Sequence, residues 1–127
     1  MLSSSSTPTV ADACAFTCTS RPDTDAVLVV PEGELDLATA PLLDAELRQA
    51  RDAGCEKLVV DLRGLNFIDS SGVHLLLRWA AWAARHDRAF SLIPGSKRVQ
   101  MVFAMTGVLD LLAFDRVSSA RGRVVHT

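Results

Sequence analysis

The sequence predicts an α/β domain, a mixed sheet of four to five strands with helices packed mainly on one face. Three observations predict it. β-Branched, apolar runs alternate with amphipathic stretches, the order that crossover connections require. Lys57 to Leu62 (KLVVDL) has a continuous apolar centre, as a buried parallel strand does. The chain has 127 residues, 49% hydrophobic and 22% charged. That suits one soluble domain able to bury about two-thirds of its unfolded surface without a metal or disulfide.

Residues 1–11, starting MLSSSSTPTV, read as a disordered tail with no basic start or apolar stretch of a secretory signal. Residues 12–117 form the domain. Ala15 to Thr19 alternates as an edge strand would, and Arg21 to Asp25, with Pro22, reads as a turn. Ala26 to Val30 (AVLVV) is a buried strand that Pro31 restricts to its end or to a sheet edge. Glu32 to Asp36 continues as strand or loop. Thr39 to Ala53 is a helix with Thr39 as cap, Pro41 in its first turn and Leu43, Leu47 and Ala50 on its apolar stripe. Asp44 and Arg48 make an i,i+4 pair, and Gly54 ends the helix.

After the Lys57 to Leu62 strand, Arg63 to Asp69 reads as a loop. A second helix runs from Ser71 to His86, capped by Ser70 or Ser71. Its core face is expected at Val73, Leu76, Leu77, Ala80 and Ala84, with Leu75, Trp79 and Trp82 on the far flank and His74, Arg78 and Arg85 in one polar arc. Ala89 to Ile93 is a strand. Ser96 caps a third helix ending at Thr106 and Gly107, with Val99, Val102 and Phe103 inward. Val108 to Ala113 is a helical turn, Phe114 to Val117 a last strand, and 118–127 a weakly ordered tail.

The net charge is −2. Residues 1–70 hold 12 acidic and 5 basic side chains; residues 71–127 hold 3 and 8. The near balance argues against a nucleic-acid binder. The window Val73 to Ala84 contains His74 and Arg78 and is too short to span a bilayer. A soluble cytoplasmic protein without membrane partners is expected. Cys14 and Cys18, on one strand face, are about 13 Å apart by strand rise, too far for a disulfide. With Cys55 they read as small core residues in a reducing compartment.

Little here points to an enzyme. His74, His86 and His126 share no spacing, and no HxxxH or CxxC pair offers a metal site. Neither a phosphate-cradling glycine loop nor a GxSxG elbow is present. No catalytic residue, metal or cofactor is expected. Two constellations remain. Phe67-Ile68-Asp69-Ser70-Ser71-Gly72 presents a hydroxyl at a helix N-terminus, where small residues leave amides accessible and the positive helix end favours anions. Gly33-Glu34-Leu35-Asp36 with Thr39 precedes the first helix. Both also fit plain helix capping.

Three segments together resemble the STAS family, in its single-domain form as a bacterial anti-sigma factor antagonist. They are Gly33-Glu34-Leu35-Asp36 with Thr39; Leu58-Val59-Val60-Asp61-Leu62 with Leu65, Phe67-Ile68 and Asp69-Ser70-Ser71-Gly72-Val73; and Lys97-Arg98-Val99 to Phe103 with Met105-Thr106-Gly107-Val108. The resemblance covers roughly residues 12–117. It implies a STAS-type sheet and partner switching. The unmodified protein binds an anti-sigma factor that is also a serine kinase of GHKL type, which frees the sigma factor. The kinase phosphorylates Ser70, the phosphoprotein dissociates, and a PPM-type phosphatase resets it. The expected partner-binding residues are Asp36, Thr39, Asp69, Ser70, Ser71, Gly72, Val73 and Leu75, with Trp79 or Trp82 adding apolar surface. One departure is the segment Ser119 to Thr127, which contains Gly122 and lacks the periodicity of the family's last helix. The rival readings are an accessory subunit of a membrane transporter, a small-molecule or nucleotide sensor, and a hydrolase using Ser70.

Overall fold

A computed structural model of the protein describes residues 16–23 and 26–115. The expected tails, Cys14, His126 and the end of the expected last strand lie outside the described residues. The elements are β1 (Thr17–Asp23), β2 (Ala26–Leu35), α1 (Ala40–Asp52), β3 (Lys57–Asp61), β4 (Leu65–Ile68), α2 (Ser70–Arg85), β5 (Ala89–Ile93), α3 (Lys97–Met105) and a 3-10 turn at Leu109–Leu111. The sheet is mixed and five-stranded, ordered β1-β2-β3-β5, with β4 also paired to β2. β1 runs antiparallel to β2; the other pairings are parallel.

The expected sheet and helices are present, with three revisions. Arg21, Pro22 and Asp23 belong to β1 and are not a turn. The expected loop at Arg63 to Asp69 contains a strand, β4. Most informative is Pro31, which sits within the central strand rather than at an end or edge. Along β2 the parallel partner changes: Ala26 to Val29 pair with β3, and Gly33 to Leu35 pair with β4. Gly33 N–H donates to Gly64 O at 3.1 Å. Pro31 is two residues earlier, so its nitrogen faces that same side, where β3 has ended and β4 has not begun. The proline costs no ladder bond there, the condition under which an interior strand tolerates it.

β3 lies between β2 and β5, and Leu58, Val59, Val60 and Asp61 are all buried. The Asp61 carboxylate is matched by Arg63, whose Nε and Nη2 donate to its two oxygens at 3.0 and 2.9 Å. That hydrogen bonding holds the Arg63 guanidinium above its ordinary pKa. One contiguous core takes Val27, Val29 and Leu35 from β2, Leu43 and Leu47 from α1, Val73, Leu76 and Trp79 from α2, and Val99 and Phe103 from α3.

The phase of α2 differs from expectation. Its buried residues are Gly72, Val73, Leu75, Leu76, Trp79 and Ala83, while Leu77 and Ala80 are half-buried and Ala84 is exposed. The helix packs on β4, β5 and α1. Because it is apolar around most of its girdle, periodicity alone could not choose which apolar flank faces α1. His74, Arg78 and Arg85 are exposed, as their polar arc predicts. Ser96 caps α3 by accepting from Val99 N–H at 3.2 Å. Phe114 forms an isolated parallel bridge with Leu92 rather than a strand.

Candidate functional site

β2 and β4 are parallel neighbours, so their C-terminal ends reach the same edge of the sheet. Asp69 N–H donates to Leu35 O at 3.1 Å, tying the start of α2 to the end of β2. The Asp36 loop and the Ser70 helix start, 34 positions apart in sequence, are thereby brought together.

The helix cap is Asp69, not Ser70 or Ser71. Asp69 has extended backbone, and its Oδ1 accepts from Ser71 N–H at 2.8 Å and Gly72 N–H at 3.3 Å. Ser70 is the first helical residue and is exposed. No hydrogen bond among the described residues engages its hydroxyl. Ser71 is half-buried, and Gly72 is buried for a steric reason. A Cβ there would sit 2.8 Å from Leu35 Cγ and 2.9 Å from Ile68 Cγ1, so only glycine lets α2 begin this close to β2 and β4.

The Asp36 loop is a self-contained turn. Asp36 Oδ1 accepts from Ala38 N–H and Thr39 N–H at 3.0 and 3.1 Å. Thr39 occupies the N-cap position of α1 without a side-chain cap bond. Its hydroxyl instead donates to Glu34 O at 2.7 Å and accepts from Asp36 N–H at 2.9 Å. Asp36 and Thr39 therefore hold the shape of the loop facing Ser70, a role sequence spacing had equated with capping.

Val73 and Leu75 do not offer apolar surface. They are 2% and 1% exposed and belong to the core, because α2 turns that flank toward the sheet and α1. Two exposed apolar residues flank the site in sequence and were missed by the sequence reasoning: Leu37, 76% exposed, follows Asp36, and Phe67, 43% exposed, precedes Ser70 by three positions in β4. Their signal was weak, since a leucine inside a turn and a phenylalanine in a presumed loop belong to no periodic face. Trp79 is core; its Nε1 donates to Asp44 Oδ1 at 2.8 Å. Trp82 is half-buried and packs edge-on against Trp79, with ring centroids 5.3 Å apart.

A groove between α1 and α2 opens next to this site. Its near part, about 370 Å³, is lined by Leu37, Pro41, Ser71, His74 and Arg78 among others. Among the described residues no group of His, Cys, Asp or Glu could hold a metal ion, and no helix is long and apolar enough to cross a membrane. Cys18 and Cys55 are half-buried, and burial pushes the Cys18 thiol up to about 12.

Comparison with known proteins places this geometry. The family model described as "Mlab, STAS domain" matches residues 18–113. The anti-sigma-B factor antagonist of Staphylococcus aureus is 30% identical over 80 residues, which covers 63% of this chain and 74% of that protein. The solved structure of the anti-sigma factor antagonist SpoIIAA in its unphosphorylated form is 25% identical, with TM-score 0.66, covering 87% of this chain and all of that one. A putative anti-sigma factor antagonist from Thermotoga maritima, 20% identical, shares the fold with TM-score 0.72 over 84% of this chain and 93% of its own. The family match across most of the described fold, together with the curated relatives and solved structures that are anti-sigma factor antagonists, shows that the chain belongs to the STAS-domain family of anti-sigma factor antagonists.

Proposed function

We propose that this protein works by partner switching in the cytoplasm. Its unphosphorylated form binds an anti-sigma factor that is a GHKL-type serine kinase and so releases a sigma factor. Phosphorylation of Ser70 reverses binding, and a PPM-type phosphatase restores it. Its role is regulatory binding rather than catalysis. The observation that carries the reading is the state of Ser70, an exposed serine at the first position of α2 whose helix is capped by its neighbour Asp69. Its hydroxyl is thus spared from the capping role that a serine at a helix start most often has.

The electrostatics support reversal. A phosphate adds a charge of about −1.5 to −2 at pH 7. Asp69 already takes the Ser71 and Gly72 N–H groups, two of the helix donors that would otherwise receive an anion. Asp36 lies across the same edge. A phosphate at Ser70 would therefore sit beside the Asp69 carboxylate, at the sheet edge that the Asp36 loop shares. An unmatched charge in a desolvated interface costs several kcal/mol, and each 1.4 kcal/mol is about tenfold in affinity. The partner-facing residues are Asp36, Thr39, Asp69, Ser70 and Ser71, with Leu37 and Phe67 taking the apolar role first expected of Val73 and Leu75. Gly72 acts from below by setting the height of the helix start.

The test is incubation with the cognate kinase and ATP, followed by mass spectrometry and pull-down. Ser70 should carry the phosphate, and Ser70→Asp should lose the anti-sigma factor. Phosphorylation of Ser70→Ala to the same extent, or equal capture by Ser70→Asp and wild type, overturns the reading. Stable co-purification with a membrane ATPase, indifferent to Ser70→Asp, would instead favour the transporter subunit.

A further inference from the structure

The groove beside Ser70 continues along the two helices into a second part of about 240 Å³, lined by Asp44, Arg48, Arg51, Arg78, Trp79 and Trp82. Its charge is one-sided. α2 carries no acidic residue at all. On α1 the acidic Glu46 faces β1, where it acts on the Cys18 thiol, while Arg48 and Arg51 line the groove. The single carboxylate in the groove is fully engaged: Asp44 Oδ1 accepts from Trp79 Nε1 at 2.8 Å, and Asp44 Oδ2 meets Arg48 Nη2 at 2.9 Å. Arg51 lies over the Trp79 ring, 5.6 Å from its centroid, and among the described residues pairs only with the exposed Asp52. Arg78 is exposed and has no ion-pair partner among the described residues.

The geometry points to a docking groove for an extended acidic segment of the protein partner that engages Ser70. This deepens the proposed function and rests on it for the partner's identity. From Ser71 to Trp82 the helix rises about 16 Å at 1.5 Å per residue. That distance spans about five residues of extended chain at 3.3 Å each, too long for one small anion. Guanidiniums spaced along the groove suit carboxylates on alternate residues, and the half-buried Trp82 ring suits an apolar residue between them. The groove joins the Ser70 end through Asp44 and Arg78, which line both parts, so a partner seated at Ser70 can lay a strand into it without a break.

The only two tryptophans of the chain line the groove, so their fluorescence reports its occupancy. The probe is a six-residue peptide alternating glutamate and leucine, with a lysine–leucine peptide of equal length as control. The acidic peptide should change the emission saturably and bind more weakly as salt rises. Arg78→Glu, or the milder Arg78→Gln, should weaken it by about fivefold or more. The basic peptide should give no change even though the protein's net charge is negative. Equal response to both peptides, or no effect of either Arg78 variant, overturns the proposal. Self-association that Arg78→Glu abolishes would assign the groove to a second copy and overturn it as well. The peptide titration uses neither kinase nor ATP, so it reads the groove apart from the state of Ser70. A failure of the phosphorylation reading therefore leaves the groove result standing, and the reverse also holds.

Discussion

Replacing Gly72 by alanine tests how the start of α2 is positioned. The new Cβ would lie 2.8 Å from Leu35 Cγ, 2.9 Å from Leu35 Cδ2 and 2.9 Å from Ile68 Cγ1, all closer than carbon atoms tolerate. Overpacking of a tight core costs about 1–3 kcal/mol. Alanine returns at most about 1 kcal/mol of helix propensity, and less in a first turn. The expected net loss is about 1–2 kcal/mol, read as a lower midpoint in urea unfolding followed by far-ultraviolet circular dichroism. The mechanism can be isolated with a double-mutant cycle. Leu35→Ala alone costs about 2–5 kcal/mol by leaving a cavity. It also removes two of the three close contacts, so Gly72→Ala should cost less in that background, with a coupling of about 1 kcal/mol or more. If Gly72→Ala is as stable as wild type, or its cost is the same with and without Leu35, the steric account of the helix start is wrong.

Other expectations concern single contacts. Asp69→Ala should lose about 1 kcal/mol, the worth of an N-cap, while Asp69→Asn keeps most of it in thermal unfolding. Asp44→Ala leaves the Nε1 of the buried Trp79 without its acceptor and should cost about 1–3 kcal/mol in urea unfolding, with a change in tryptophan emission. The Cys18 thiol, held near 12 by burial against an ordinary 9.0, should alkylate far more slowly at pH 8 in the folded protein than in urea, as read by peptide mass mapping. Its raised pKa fixes the sign of a stability change. Below pH 9 the thiol is neutral in both states; above it the unfolded chain loses the proton first, so stability should fall from about 9 toward 12. Equal stability of wild type and Cys18→Ser slopes across that window would refute this.

Much of the architecture was legible because local signals agreed. Ala89–Ile93 is a strand bounded by a turn, and Ser96 is followed by an inward-facing Val99 and Phe103. β4 was not legible, because in Leu65–Ile68 only the first and last residues are buried and the alternation that marks a strand is absent. Pro31 misled for a physical reason: the rule that keeps proline out of central strands concerns hydrogen-bonding partners, and the partner change from β3 to β4 cannot be seen in sequence. At the candidate site, spacing singled out the Asp69-Ser70 and Asp36 segments but could not choose the capping residue, since aspartate and serine cap equally well. Leu75 was placed on the wrong flank because the phase of a mostly apolar helix is set by what packs on it, whereas Val73 lies on the core face that periodicity gave it. Leu37 and the α1–α2 groove depend on two helices meeting, which no local window contains.

The attachment of β4 has a consequence for local stability. Four residues long, β4 pairs only with β2 among the described strands, whereas the β1-β2-β3-β5 ladder runs independently of it. A strand with one neighbour has fewer protecting backbone hydrogen bonds than a central one. Asp69 and then Ser70 follow it, held by the bond from Asp69 N–H to Leu35 O. In native-state hydrogen exchange the amides of β4 and Asp69 should exchange ahead of those in β3 and β5. The serine thus stands where the sheet's least-paired strand meets a core-packed helix, with Leu65 and Ile68, both buried, keeping that junction within the fold.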